Sequence, residues 1–224
     1  MGALNTKIIY RFLGVTAMLN GLFMFLTVPF SIYHNEPEKW GILNAGIITV
    51  FIGGSHDLIF PLYEVFQNFK QLVNIVSVDR SFDFSQEDEL ISGRSYMSKI
   101  IMEKPNVLNN YTNIGFQSYY CAEEEKDLMG KLYFDTLRLG QVLNEPALAE
   151  PIFRDADIIG FDMKCLSWQA IADPLKGQPN GIDSRTICSL TRYAGIIDHI
   201  SSVGLFEIPS TPMTAQLFSH MIRS

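Results

Sequence analysis

Residues Ile47 to Asp57 read IITVFIGGSHD. An apolar, β-branched run that breaks on two glycines and delivers a histidine and an aspartate at the break is the pattern of a buried strand ending in a functional loop. Two later stretches repeat it: VNIVSVDRSFD, Val73 to Asp83, and ADIIGFDMK, Ala156 to Lys164, are each an apolar strand with acids at its end. Parallel sheets carry their chemistry at such carboxyl ends. His56, Asp79, Asp83 and Asp162 are therefore candidates to converge on one point, and imidazole mixed with carboxylate is a donor set that suits hard divalent metals.

The stretches between these strands have helical signatures. Leu58 to Phe69 places Phe60, Tyr63 and Phe66 at helical spacing, as in a crossover helix. SQED, Ser85 to Asp88, reads as a capping box opening a helix towards Met102. YTNIGFQSYY suits another strand, and the acidic run Glu123 to Asp127 suits a helix N-terminus, with a solvated helix face sufficient to explain its charge. PALAEPIFRDAD reads as a short helix, Ile182 to Tyr193 as a helix starting at Asp183 or Ser184, Ser201 to Glu207 as a strand and Thr211 to Ile222 as a terminal helix. The alternation predicts an α/β fold: a three-layer, doubly wound parallel sheet.

Composition narrows the partners. The chain has 224 residues and a net charge of -7, with a pI near 5.1. That balance argues against a nucleic-acid partner, which would want a basic face. Cys121, Cys165 and Cys188 are odd in number and lack CxxC spacing, so they read as buried small hydrophobes in a reducing, cytoplasmic setting.

Residues 1–45 differ from the segment 46–224. Phe12 to Tyr33 carries no charged side chain and is long enough to span a bilayer, with Lys7 and Arg11 on its N-terminal flank. A membrane anchor through this stretch, a buried core helix and a signal peptide are the alternatives. HNEPEK, His34 to Lys39, follows as a polar turn. Residues 7–45 also resemble the first membrane helix of Trk-type potassium transporters.

The order GGxHD, DxxxD, FDxK resembles the ureohydrolases: arginase, agmatinase and formimidoylglutamase, binuclear manganese enzymes that hydrolyse a guanidino or amidino carbon–nitrogen bond. The likeness runs from about Val50 to the last residue. It is closest to the formimidoylglutamase-like branch through PNG at Pro179 to Gly181, RYAG at Arg192 to Gly195 and FEIP at Phe206 to Pro209. It implies an arginase-like sheet truncated on its N-terminal side, as a shortened enzyme or a chimera joined between about Trp40 and Gly53. Uncovered apolar faces would then favour a homo-oligomer.

The resemblance also implies a ligand set. One manganese would be held by His56, Asp79, Asp83 and Asp162, and Glu207 would bind a small cationic nitrogen-containing substrate. Two positions that supply the second metal in the family are Ser81 and Lys164 here, so the second site is degraded. The Lys164 ammonium is expected to neutralise the shared carboxylates Asp79 and Asp162. The proton-shuttling loop histidine has no counterpart near Ser92 to Tyr96.

Blander readings stand beside these. Asp79 and Asp83 are also placed to cap a helix, Asp162 and Lys164 to form a surface ion pair, and His199 and His220 to be ordinary solvated or core residues. Three functions follow: a metal-dependent amidinohydrolase-like domain, a non-catalytic binding or assembly module on the same fold, and a membrane transporter fragment. The last is hard to extend past about residue 55, because Asp57, Asp79 and Asp83 are costly in hydrocarbon.

Overall fold

VNIVSV and IIGFD contain the reason for the architecture: continuous apolar runs need cover on both faces. In a computed structural model, which describes residues 48–85, 91–197 and 200–223, they form β2 (Val73–Val78) and β5 (Ile158–Asp162) at the centre of a six-stranded sheet. The other strands are β1 (Thr49–Ile52), β3 (Leu108–Phe116), β4 (Asp135–Arg138) and β6 (Ser202–Phe206). Their order is β1-β6-β5-β2-β3-β4, and every pairing is parallel.

Successive side chains of the central strands point to opposite faces, and each face has its own core. Ile75 and Ile158 pack in one cluster with Ile59 and Tyr63 of α1 (Ile59–Asn68) and Met97 and Ile100 of α2 (Tyr96–Met102). On this side Met129 of α3 (Glu123–Lys131) joins them. Val76 and Ile159 pack on the other face. Their partners come from α4 (Leu139–Asn144), α5 (Glu150–Arg154), α6 (Trp168–Ile171), α7 (Ser184–Gly195) and α8 (Pro212–Arg223). The sheet is thus flanked by helices on both sides, as the strand–helix alternation predicts.

Strands β2, β3 and β4 run outward in one direction, whereas β5 and β6 lie on the other side of β2. The order reverses between β2 and β5. At such a switch point the loops leaving two adjacent strands diverge and open a crevice at their carboxyl ends.

Local chemistry explains most element boundaries. The Asp183 carboxylate accepts from the Thr186 amide at 2.7 Å and caps α7, and Glu125 accepts from the Ala122 amide at 2.8 Å where the acidic run opens α3. The helix expected from the SQED box differs. Residues 86–90 lie outside the described residues, and the helix begins only at Tyr96. A turn precedes it, in which the Ser92 amide donates to Ser95 Oγ at 3.0 Å and the Tyr96 amide to the Ser92 carbonyl at 3.1 Å. The edge strand β4, DTLR, was not anticipated. It is short and mostly exposed, so it lacks an apolar run.

The expected apolar helix Phe12 to Tyr33, the turn His34 to Lys39, the junction before residue 48 and His199 lie outside the described residues. Among the described residues, no helix is long and apolar enough to cross a membrane.

Core position and surface position should separate cleanly in urea unfolding. Ile159→Ala, at a fully buried site, is expected to cost about 2–5 kcal/mol. Leu175→Ala, at a side chain 95% exposed, is expected to stay within about 0.5 kcal/mol of the parent.

Candidate metal centre

The first donor reaches the crevice from the sheet edge. After β1 the chain turns through Gly53 (φ 104°) and Gly54 (φ 83°), conformations that side chains with a Cβ rarely adopt. The Gly53 amide donates to the Leu205 carbonyl at 2.8 Å, and the Glu207 amide to the Gly54 carbonyl at 2.9 Å. These bonds tie the loop across the end of β6 and start the short 3-10 turn His56–Leu58. His56 then lies over β5, fully buried. A Cβ at Gly160 would stand 2.9 Å from His56 Nε2 and 2.4 Å from Ile59 Cδ1, so the glycine makes room for the ring.

The acids come from the two strands at the switch point. Asp79 directly follows β2, and Asp162 is the last residue of β5. Asp83 sits at φ 60°, a strained left-handed conformation for a non-glycine residue of the kind that clusters at functional sites. His56 Nδ1 lies 3.3 Å from Asp83 Oδ2, 3.4 Å from Asp79 Oδ2 and 3.8 Å from Asp162 Oδ2. The structure therefore brings together all four residues that the strand ends nominate. Among the described residues, neither Asp79 nor Asp83 caps a helix.

His56 Nδ1, Asp79 Oδ2 and Asp83 Oδ2 are buried atoms that face one another without making a hydrogen bond. They form a group able to hold a metal ion. Buried ligand atoms of this chemistry with no protein partner, at the focus of a site, fit a divalent cation, which satisfies such lone pairs. The electrostatics agree. Burial alone would depress the imidazole, but the carboxylates of Asp79 and Asp83 prevail and raise His56 to about 10. Burial, reinforced by the charge of Asp83, lifts Asp79 to about 7, and burial with the charge of Asp79 lifts Asp162 to about 7.

The far side of the imidazole is braced. His56 Nε2 is 3.3 Å from Ser77 Oγ, which is 2.8 Å from the Tyr96 hydroxyl. The Tyr96 and Phe206 rings flank the imidazole at centroid distances of 4.9 and 5.6 Å. A lone pair on Nδ1 requires the proton on Nε2, and Ser77 Oγ is placed to accept it. Ser77, Tyr96 and Gly160 were missed from sequence. Ser77 did carry a signal: it is the hydroxyl in an otherwise apolar run, two residues before Asp79 and so on the same side of the strand.

The altered positions lie beside the cluster. Ser81 Oγ donates to Asp83 Oδ1 at 2.9 Å, and the Lys164 amide donates to Asp162 Oδ1 at 2.7 Å. The Lys164 ammonium was expected on Asp79 and Asp162. Its ion-pair partner is Glu207 instead, at 2.9 Å. Burial would raise Glu207, but Lys164 prevails and holds it below the usual carboxylate range. His220 is exposed in the last turn of α8 and is not part of the cluster.

A parallel α/β domain with a buried histidine–carboxylate cluster at its switch point is the class that this geometry defines. Solved structures give that class a fold name. The chain superimposes on formiminoglutamase from Trypanosoma cruzi with Mn2+ at a TM-score of 0.67 and 16% identity, covering 82% of this chain and 67% of that one. An arginase superfamily protein from the same organism gives 0.70 and 15%, covering 82% and 65%. Formimidoylglutamase from Bacillus subtilis gives 0.68 and 14%, covering 78% and 59%. The fold is the ureohydrolase fold, and the chain spans about two thirds or less of the length of these structures. No family model and no curated protein matches the chain, and the Trk-type resemblance gains no support.

Gly160→Ala should expose the dependence of His56 on β5. The added methyl is expected to destabilise the fold by about 1–3 kcal/mol and to shift the His56 imidazole resonances in NMR spectra, which a distant destabilising substitution would leave in place.

Proposed function

We propose that residues 46–224 form a ureohydrolase-like domain that hydrolyses a guanidino or amidino (formimino) carbon–nitrogen bond with one divalent metal, manganese by analogy with the T. cruzi structure. The observation that carries this reading is the convergence of His56, Asp79 and Asp83 on one buried point with unsatisfied donor atoms. Asp162 completes the set from the adjacent strand. A divalent ion bound there would supply Lewis acidity that activates water near neutral pH.

The chain's own residues would divide the remaining work. Ser77 and Tyr96 hold the imidazole in the required tautomer. Glu207, at the rim, is the acid available to orient a cationic nitrogen. Ser81 and Lys164 stand where the family resemblance would put second-metal ligands, so this reading has a degraded second site. Neither a serine hydroxyl nor an ammonium replaces an imidazole and a carboxylate as donors.

A second reading has its own support. With Lys164 already on Glu207, the acid that would orient substrate is neutralised from within. That favours a non-catalytic binding or assembly module on the same fold. The pair is partly exposed, with Lys164 40% accessible, and such pairs contribute about 1 kcal/mol or less. A substrate amidinium is therefore able to compete for Glu207, which keeps hydrolysis as the first reading.

Metal content per chain after manganese loading, with turnover of formimidoylglutamate, agmatine and arginine, tests both readings. The expected result is one ion per chain, lost in His56→Ala and in the near-isosteric Asp79→Asn. Absence of metal from the parent chain would remove the hydrolytic reading, and metal without turnover would favour the module. The paired substitution Ser81→His with Lys164→Asp is expected to raise the stoichiometry towards two; a value unchanged at one would mean that these positions do not define the second site.

A further inference from the structure

Above the cluster lies a cavity of about 670 Å³, within the size range of small-molecule sites. Arg80, Lys164, Lys176, Tyr120, Gln178 and Glu207 are among its lining residues. It therefore gathers three cations and one acid in a chain whose net charge is -7. The acid is paired with Lys164. Among the described residues, neither Arg80 nor Lys176 has a carboxylate within ion-pair distance.

Arg80 is held as a receptor group would be. Its carbonyl accepts from the Gln117 amide at 2.9 Å and from Cys121 Sγ at 3.7 Å, which anchors the backbone directly after β2. Its guanidinium lies 4.4 Å above the Tyr120 ring. The Tyr120 hydroxyl bonds to the Gln178 side chain, and Gln178 is fixed by its amide to the Leu166 carbonyl at 2.8 Å and by its carbonyl from the Trp168 amide at 2.9 Å. The ring contact restrains the guanidinium, whose N–H fork suits two oxygens of one anion. Part of the side-chain entropy that opposes such a grip is already lost in this contact.

We propose that this cavity binds a small oxyanion, a carboxylate or phosphate group, on the Arg80 fork, with Lys176 adding charge from the rim. A purely cationic ligand would meet three like charges and has only Glu207 to compete for, so the cavity favours a ligand that carries an anion. Its binding needs neither metal nor turnover. This stands apart from the hydrolytic reading.

Isothermal titration of the full chain without added metal tests it, with inorganic phosphate, glutarate and agmatine as probes. Phosphate or glutarate is expected to bind more tightly than agmatine; which anion binds distinguishes the two sources. Arg80→Gln should weaken binding by about tenfold to a hundredfold, the worth of a charge-assisted pair. Lys176→Gln, at an exposed side chain that the fold does not need, should weaken it by several-fold and serves if Arg80→Gln does not fold. Anion binding unaffected by either variant, or agmatine binding alone, overturns the proposal. Manganese content measured in parallel separates the two ideas. Metal uptake without anion binding overturns this proposal alone, and anion binding without metal uptake supports it while removing the hydrolytic reading.

Discussion

An imidazole and three carboxylates are buried together at the carboxyl ends of the strands, and the surrounding architecture has to hold them there. Two unit charges about 4 Å apart repel by about 4 kcal/mol at an effective dielectric constant of about 20, and burial adds a desolvation cost for each ion. The cluster meets these costs in two ways. Burial and mutual repulsion raise the affinity of Asp79 and Asp162 for a positive charge, proton or cation, and the outer carboxylate oxygens accept local hydrogen bonds from the Arg80 amide, Ser81 Oγ and the Lys164 amide. The inner atoms are left facing one another. Such a group relaxes by separating unless rigid elements prevent it.

The sheet provides that rigidity. Asp79 and Asp162 leave adjacent strands whose pairing is continuous from Ile75 with Ile158 to Val78 with Phe161. The two cores clamp these strands from both faces, so the carboxylates have no direction in which to move apart. His56 comes from the far edge, two strands away, and depends on finer arrangements: a double-glycine turn tied to β6, a vacancy left by Gly160 and a hydroxyl pair behind the ring. Dense packing makes each of these intolerant of added volume.

Around the rim the same fold is put to a different electrostatic use. The residues that immediately follow the cluster acids are Arg80 and, two positions after Asp162, Lys164. Because the strand ends are adjacent, both line one cavity. Acids below and cations above make a layered site in which the buried layer suits a cation and the open layer an anion. The partly exposed Lys164–Glu207 pair lines the same cavity and, being weak, is the part of the site most easily rearranged by a ligand.

The sequence by itself determined the parallel α/β fold and the identity of the four cluster residues. The runs of β2 and β5 are buried on both faces and carry their acids at the carboxyl ends; the run before His56, expected to be buried, is instead the edge strand β1, with Val50 and Ile52 each 48% exposed, because an edge strand is paired on one side only. Helix caps such as Asp183 were legible from local pattern. Tertiary structure alone decided the rest. The partner of Lys164 depends on where β6 ends relative to β5, the bracing of His56 by Tyr96 on a helix encoded forty residues later, and the cationic cavity on Arg80 meeting a loop from the other side of the sheet. The serine turn from which α2 starts at Tyr96 and the short β4 also escaped sequence reading, the latter because an exposed edge strand needs no apolar pattern. Local pattern specifies which elements form and which faces are buried; it holds no record of which side chains from distant elements will meet.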